Sequence, residues 1–120
     1  MEDSTCKIFF SPNPKSKVSN SWRLIEDSPR SGSFNMAVDL HLLQQFQPGD
    51  SPIFRLYSWE HPTLSLGRIE NIDHGINLDF CREEQIPLIR RMTGGKAVLH
   101  QSDLTYSIIG ELGDPQFGEG

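Results

Sequence analysis

The sequence has 120 residues, enough for one domain at most. Its hydrophobic fraction of 36%, or about 44% with the ten glycines included, is typical of a globular protein with a buried core. The formal net charge of −5 argues against a nucleic-acid-binding surface, and two cysteines without a paired motif argue against a disulfide framework and favour a reducing compartment.

The beginning of the chain shows no apolar stretch of the length typical of a signal peptide. No later run approaches the roughly 18 apolar residues of a membrane helix. We therefore expect a cytoplasmic protein that does not associate with a membrane. The polar, proline-containing residues 11–20 predict that residues 1–20 form a flexible arm ahead of a domain at residues 21–120.

The first predicted elements of the domain are a strand at Trp22–Ile25 and a helix at Asn35–Phe46. Apolar residues in the helix recur at intervals of four, three and three, which predicts one buried stripe. The stripe consists of Met36, Leu40, Leu43 and Phe46. Ser33 is the predicted N-cap of this helix.

The remainder of the domain is predicted to consist mainly of strands joined by short turns. The elements are strands at Ile53–Ser58 and Thr63–Gly67, a short helix at Asp79–Glu84, and strands at Leu88–Arg91, Ala97–His100 and Leu104–Ile109. The short connections predict hairpins, one of them with its turn at residues 93–95. The fold class is therefore predicted to be α+β, with a mixed, mainly antiparallel sheet and flanking helices.

The segment that carries most chemical information lies around this glycine turn. Residues 85–102 contain no carboxylate, but they include two arginines, a lysine and a histidine. Gly94 and Gly95 allow a left-handed backbone and let N–H groups face a ligand, and arginine offers a planar fork for phosphate or carboxylate. The segment predicts a binding loop for an anionic ligand; an ordinary hairpin is the alternative. It is not a P-loop, because Arg90 and Ala97 stand where that motif needs Gly and Ser or Thr.

The stretch Arg91–His100, RMTGGKAVLH, resembles the signature loop of lipoate–protein ligases and the related octanoyltransferases. Three further stretches resemble the family's first helix, first strands and following strand in the same order: SFNMAVD at 33–39, FRLYSWEHPTLSLGR at 54–68 and DLTYS at 103–107. The resemblance implies a biotin/lipoyl ligase-like, class II synthetase-like catalytic domain. It also implies that this chain is the N-terminal half of that domain, apparently truncated.

The resemblance places the ligand-binding residues in the same loop. In the family an acyl-adenylate lies under the loop, Arg91 matches the arginine that contacts the nucleotide, and the glycines let the backbone lie against the acyl chain. The complete set of expected binding residues is Arg91, Thr93, Gly94, Gly95, Lys96, Ala97, Val98, Leu99 and His100. A buried structural histidine is the equal alternative for His100. No metal ligands are expected.

The leading functional hypothesis is the attachment of lipoate, through lipoyl-adenylate, to a lysine of a lipoyl carrier domain. Magnesium-dependent ATP and lipoate would be its cofactors. The alternatives are octanoyl transfer from an acyl carrier protein without a cofactor, which Lys96 favours, and an inactive fragment that needs its missing half. The expected carrier is the glycine cleavage H protein or a 2-oxoacid dehydrogenase E2. The family's catalytic lysine or cysteine is expected beyond residue 120, and no motif places a base beside Cys81.

Overall fold

The computed structural model describes residues 4–10, 21–73 and 75–117. The strands are β1 (Ser4–Phe10), β2 (Arg23–Glu26), β3 (Ile53–Tyr57), β4 (Thr63–Leu66), β5 (Leu88–Arg90), β6 (Val98–His100) and β7 (Thr105–Glu111). The helices are α1 (Gly32–Gln45), α2 (Leu78–Glu83) and a short 3-10 helix at Pro115–Phe117. The strands form a four-stranded sheet, in the order β1-β7-β3-β2, and a three-stranded sheet, in the order β5-β4-β6.

Two helical crossovers explain why both sheets are mixed. β2 and β3 are parallel neighbours joined through α1, and β4 and β5 are parallel neighbours joined through α2. Parallel strands need such a long connection, whereas antiparallel strands do not. The α+β class is confirmed. The pairing differs from the expected mainly antiparallel sheet, because three of the five pairings between the described strands are parallel.

The predicted hairpins are wrong. β3 and β4 are consecutive but belong to different sheets, and the same holds for β6 and β7. β5 and β6 lie on opposite sides of β4, so the Gly94–Gly95 segment passes across β4 and does not turn one strand back onto the next. β4 lies between β5 and β6 and is the most buried strand of this sheet.

The first helix starts earlier than the sequence predicts. It begins at Gly32, and its N-cap is Ser31, whose hydroxyl accepts a hydrogen bond from the Phe34 N–H at 3.2 Å. A Cβ on Gly32 would lie 2.7 Å from Thr63 Cγ2, so only glycine lets the helix start this close to β4. The predicted cap at Ser33 is therefore wrong by two residues.

The buried face of α1 is more polar than predicted. Asn35 and Asp39 have no exposed surface, whereas Leu40 of the predicted stripe is 42% exposed. The reason is Arg55 of β3, which is itself fully buried beneath the helix. Its guanidinium donates to Asp39 Oδ1 at 2.8 Å, Asp27 Oδ2 at 2.8 Å and Asn35 Oδ1 at 2.9 Å.

The second carboxylate oxygen of Asp39 ties the helix to the sheet. It accepts hydrogen bonds from the hydroxyls of Tyr57 at 3.1 Å and Ser107 at 2.7 Å. An apolar cluster of Phe46, Ile53 and Ile109 continues the core beside this network. The arrangement fixes α1 over β3 and β7.

The N-terminal arm differs from the expectation over part of its length. Residues 4–10 form β1, which runs parallel to β7. Ile8, Phe9 and Phe10 have high β-propensity, and pairing supplies hydrogen-bond partners along the edge of β7. The rest of the predicted arm, residues 1–3 and 11–20, lies outside the described residues. In the described part of the chain, no helix has the length and apolar character needed to cross a membrane.

Candidate functional site

The glycine-containing segment at residues 91–97, here called the glycine loop, is held from inside by Arg91. Nη1 of this side chain donates to the Ser65 carbonyl at 3.0 Å and to the Ser65 hydroxyl at 2.9 Å. Nη2 donates to the carbonyls of Gly94 and Lys96, both at 2.9 Å. One guanidinium therefore closes the glycine loop and attaches it to β4.

A close backbone approach further defines the glycine loop. A Cβ on Gly67 would lie 2.0 Å from the Gly95 carbonyl oxygen, so the two backbones meet where no side chain fits. The Arg68 N–H donates to the Thr93 carbonyl at 2.8 Å across the same contact. Gly95 has a φ of 99°, which favours glycine. The expected left-handed glycine is therefore confirmed.

The neighbouring Arg90 holds the segment at residues 67–70, here called the companion loop. Its Nη1 donates to the carbonyls of Gly67 and Glu70, both at 2.8 Å. The Glu70 carboxylate in turn accepts a hydrogen bond from the Gly67 N–H at 3.1 Å. Consecutive arginines thus fix the two loops that meet at Gly67 and Gly95.

The tip of the glycine loop presents backbone donors outward. Gly94, Gly95 and Lys96 are exposed, and two of their carbonyls are turned inward to Arg91. Their N–H groups donate to no acceptor among the described residues. Together with the Lys96 ammonium, these N–H groups make the loop tip suitable for a carbonyl or phosphate oxygen.

The strand that follows the glycine loop has two different faces. Val98 and His100 lie on one face, and Leu99 lies on the other, because side chains alternate along β6. Ala97 and Leu99 line an apolar cleft of about 210 Å³ between β4, β6 and α2. Its other walls are formed by Leu64, Gly75, Ile76, Asn77, Phe80, Cys81 and Ile86. Cys81 is buried in this wall, 7% exposed.

A chain of buried polar side chains connects Arg91 to His100. The Ser65 hydroxyl lies 2.8 Å from His100 Nε2, and His100 Nδ1 lies 2.8 Å from Asp103 Oδ2. The ionised Asp103 carboxylate can only accept, so a neutral His100 donates to it from Nδ1 and accepts at Nε2 from the Ser65 hydroxyl. The Ser65 oxygen in turn accepts from Arg91 Nη1.

The surroundings of the imidazole favour the same protonation state. Burial lowers the pKa of His100 below its ordinary value of 6.5, against the opposing influence of Asp103. Burial alone would raise the pKa of Asp103, but the hydrogen bonds from His100 and Thr105 hold it below its ordinary value. The Trp59 ring stacks on the imidazole with a centroid distance of 4.0 Å. A neutral histidine beside a carboxylate is therefore the expected state at neutral pH.

The predicted binding residues lie on the glycine loop and the strand β6 that follows it, but they differ in how exposed they are. Gly94, Gly95 and Lys96 form the exposed tip, whereas Arg91 and His100 are turned into the protein. Thr93 and Val98 are half-buried, and Ala97 and Leu99 face the cleft. Among the described residues, no group of three or more His, Cys, Asp or Glu side chains is placed to hold a metal ion.

Sequence reasoning missed three residues that shape this site: Ser65, Gly67 and Asp103. The available signals were a serine between two leucines in β4, a glycine directly after the strand, and a carboxylate three residues after His100. None of these signals is specific without the pairing of β4 with β6.

Comparison with known proteins gives concordant matches. Residues 31–118 match the family model of the lipoyl protein ligase A/B catalytic domain. An octanoyltransferase LipM from Oceanobacillus iheyensis is 45% identical over 89 residues, which are 73% of this chain and 33% of that protein. Another from Carboxydothermus hydrogenoformans is 41% identical over 96 residues, which are 79% of this chain and 36% of that protein.

Solved structures of similar fold give the same grouping. A lipoate-protein ligase A bound with ATP superposes with a TM-score of 0.67 and 33% identity, over 72% of this chain and 35% of that one. A bi-partite lipoate protein ligase from Thermoplasma acidophilum gives a TM-score of 0.66 and 32% identity, over 72% of this chain and 34% of that one. The chain therefore spans about a third of the length of the proteins that it matches.

Proposed function

Because the chain belongs to the lipoyl protein ligase A/B catalytic-domain family, we propose that it takes part in transferring an octanoyl group to a lysine of a lipoyl carrier domain. The curated relatives that match at 45% and 41% identity are octanoyltransferases. The ATP-dependent ligase, which the sequence favoured first, is supported by structural neighbours at 33% and 32% identity. The octanoyltransferase is therefore the better-supported function.

The observation that carries this proposal is the braced glycine loop with its outward N–H groups. In the overall reaction that we propose, the lysine amine replaces the thiol of an octanoyl thioester, so a C–N bond forms and a C–S bond breaks. The amine loses a proton, and the acyl carrier protein leaves as its thiol. Negative charge develops on the carbonyl oxygen, and fixed N–H donors such as those of Gly94 and Gly95 stabilise it.

The roles that we assign to the loop residues follow from their positions. Gly94, Gly95 and Lys96 face the acyl carbonyl, and the apolar cleft lined by Ala97 and Leu99 takes the acyl chain. Arg91 acts mainly by shaping the glycine loop, since its two terminal nitrogens are already bonded to loop and strand acceptors. Neither Cys81 nor Ser65 is proposed as the acyl-carrying nucleophile, because both side chains are buried.

Calorimetry with octanoyl-pantetheine, a small mimic of the octanoyl carrier, tests the binding step. We expect the chain to bind it without a nucleotide, and Gly95→Val to weaken binding by about tenfold or more, roughly 1.4 kcal/mol. Gly113→Val is the matched control, because Gly113 also has a positive φ, 89°, but lies after β7 outside the glycine loop. Equal affinity of wild type and Gly95→Val for octanoyl-pantetheine would show that the glycine loop is not part of the acyl-binding site.

The second candidate function is ATP-dependent lipoate ligation. The specific observation in its favour is the structural match to a lipoate-protein ligase A bound with ATP. The same calorimetric series with ATP, and with lipoate plus ATP, separates the two functions. If the chain binds ATP but not octanoyl-pantetheine, ligase activity becomes the better-supported function.

A further inference from the structure

We propose that Ser65, His100 and Asp103 are positioning residues, which form a buried hydrogen-bond relay that sets Arg91 and, through it, the exposed tip of the glycine loop. The effect on acyl binding rests on the proposed function. The effect on the glycine loop itself does not.

Each link of the relay depends on the next one. Asp103 accepts from His100 Nδ1, so His100 Nε2 is left as an acceptor for the Ser65 hydroxyl. The Ser65 oxygen is thereby turned so that its lone pairs face Arg91 Nη1 at 2.9 Å. Removing Asp103 removes the acceptor that selects the imidazole tautomer, and removing the Ser65 hydroxyl removes one of the two acceptors of Arg91 Nη1.

The relay lies where it can transmit this constraint. Ser65 is on the central strand β4, and His100 ends the adjacent strand β6, so both are fixed by strand pairing. All three side chains are buried, with exposures of 0%, 1% and 7% for Ser65, His100 and Asp103. Thr105 braces Asp103 by donating to Oδ2 at 3.1 Å, and it accepts from Trp59 Nε1 at 2.8 Å.

The same residue types, in the same order of hydrogen bonds, activate a serine nucleophile in many hydrolases. The surroundings of Ser65 argue against that role here. Its hydroxyl has no exposed surface and already accepts from a permanent cation, whereas a nucleophile must come within about 3–3.5 Å of a substrate carbonyl. The relay therefore acts through Arg91 and not on a substrate.

Nitrogen-15 NMR of the 120-residue chain tests the relay without reference to any ligand. In the wild type we expect the His100 tautomer with hydrogen on Nδ1, and slowly exchanging guanidinium resonances from Arg91. Ser65→Ala and Asp103→Asn should both speed this exchange, because Arg91 Nη1 loses or loosens one of its two acceptors. Ser107→Ala should preserve it, because it removes an equally buried strand hydroxyl that donates to Asp39 and not to the relay.

Three results would overturn the relay. These are hydrogen on Nε2 of His100 in the wild type, unchanged Arg91 resonances in Ser65→Ala and Asp103→Asn, or labelling of Ser65 by a fluorophosphonate, which would make it a nucleophile. Affinity for octanoyl-pantetheine should fall about tenfold in Ser65→Ala and stay unchanged in Ser107→Ala. If the NMR results hold but wild type does not bind this probe, the relay stands and the proposed function fails.

Discussion

At the scale of single residues, the contact between Gly67 and Gly95 is the most restrictive feature of the site. Gly67→Ala would place a methyl group 2.0 Å from the Gly95 carbonyl oxygen, so one of the two loops must shift. We expect a loss of unfolding free energy of about 1–3 kcal/mol, the range for overpacking. Urea unfolding followed by tryptophan fluorescence measures it.

Gly94→Ala is the control for that substitution. A Cβ on Gly94 meets nothing within 4 Å, and its φ is not in the left-handed region. We expect a change within about 0.5 kcal/mol. Similar losses in the two variants would show that the stability effect is general to the glycine loop and does not come from the Gly67–Gly95 contact.

The lowered pKa of His100 predicts a specific pH dependence of stability. The unfolded histidine binds a proton near its ordinary value of 6.5, whereas the folded one does so only at lower pH. The unfolded state therefore binds more protons below about pH 6.5, and stability falls as the pH decreases from there towards the folded pKa. Asp103, whose folded pKa is also lowered, adds a loss below about pH 3.9.

Unfolding free energies at pH 7.5 and pH 5.0, in wild type and His100→Gln, measure the histidine contribution. We expect the decrease between the two pH values to be smaller in the variant, because the buried imidazole is gone. The exposed histidines His41 and His61 are present in both proteins, so their contribution to the pH dependence cancels in the comparison. Identical decreases in both proteins would contradict the assignment to His100.

At the scale of elements, the polar underside of α1 decides how the helix is attached. Asp39→Ala would leave Arg55 buried without its fully buried carboxylate partner. Breaking such a pair from one side costs about 3–5 kcal/mol, so we expect a loss of that order in unfolding free energy. Chemical denaturation measures it. Arg82→Ala, in the exposed Arg82–Asp79 pair of α2, should cause little change.

The positions of most helices and strands could be predicted from the sequence, but which strands pair with each other could not. The strands near residues 23–26, 53–57 and 105–111 and both helices lie close to their predicted positions, since local composition determines them. The hairpin predictions failed because the pairing of a strand depends on the other strands of its sheet. The central position of β4 is a property of the whole sheet and cannot be inferred from β4 alone. The polar face of α1 could not be inferred from its own residues, because Arg55 lies 16 residues from Asp39.

The candidate site divides in the same way. The glycine loop was found because its residues are consecutive and resemble a known signature. The relay was not found, because Ser65 and His100 are 35 residues apart and meet only through strand pairing. The inward orientation of Arg91 likewise depends on where β4 places its carbonyl groups.

At the scale of the whole molecule, the structure predicts acyl binding without acyl transfer by this chain alone. The side chains of Cys81 and Ser65 are buried, so neither can take up the octanoyl group as a covalent intermediate, and Lys96 is the exposed lysine of the glycine loop. We expect no mass gain on a lipoyl carrier domain incubated with the chain and either octanoyl carrier protein or lipoate plus ATP. Mass spectrometry of the carrier is the measurement. A mass gain that disappears in Lys96→Met would instead assign a catalytic role to Lys96.

The consecutive positions of Arg90 and Arg91 affect how strongly a ligand can bind. The Arg90 guanidinium orders the companion loop, and the Arg91 guanidinium orders the glycine loop. The conformational entropy of both loops is therefore lost when the protein folds, before any ligand binds. Ordering one residue costs about 1–2 kcal/mol, so a disordered tip at residues 94–96 would withhold roughly 3–6 kcal/mol from any binding reaction. A ligand that meets the preorganised tip avoids that loss. Its association therefore need not wait for the protein to change shape.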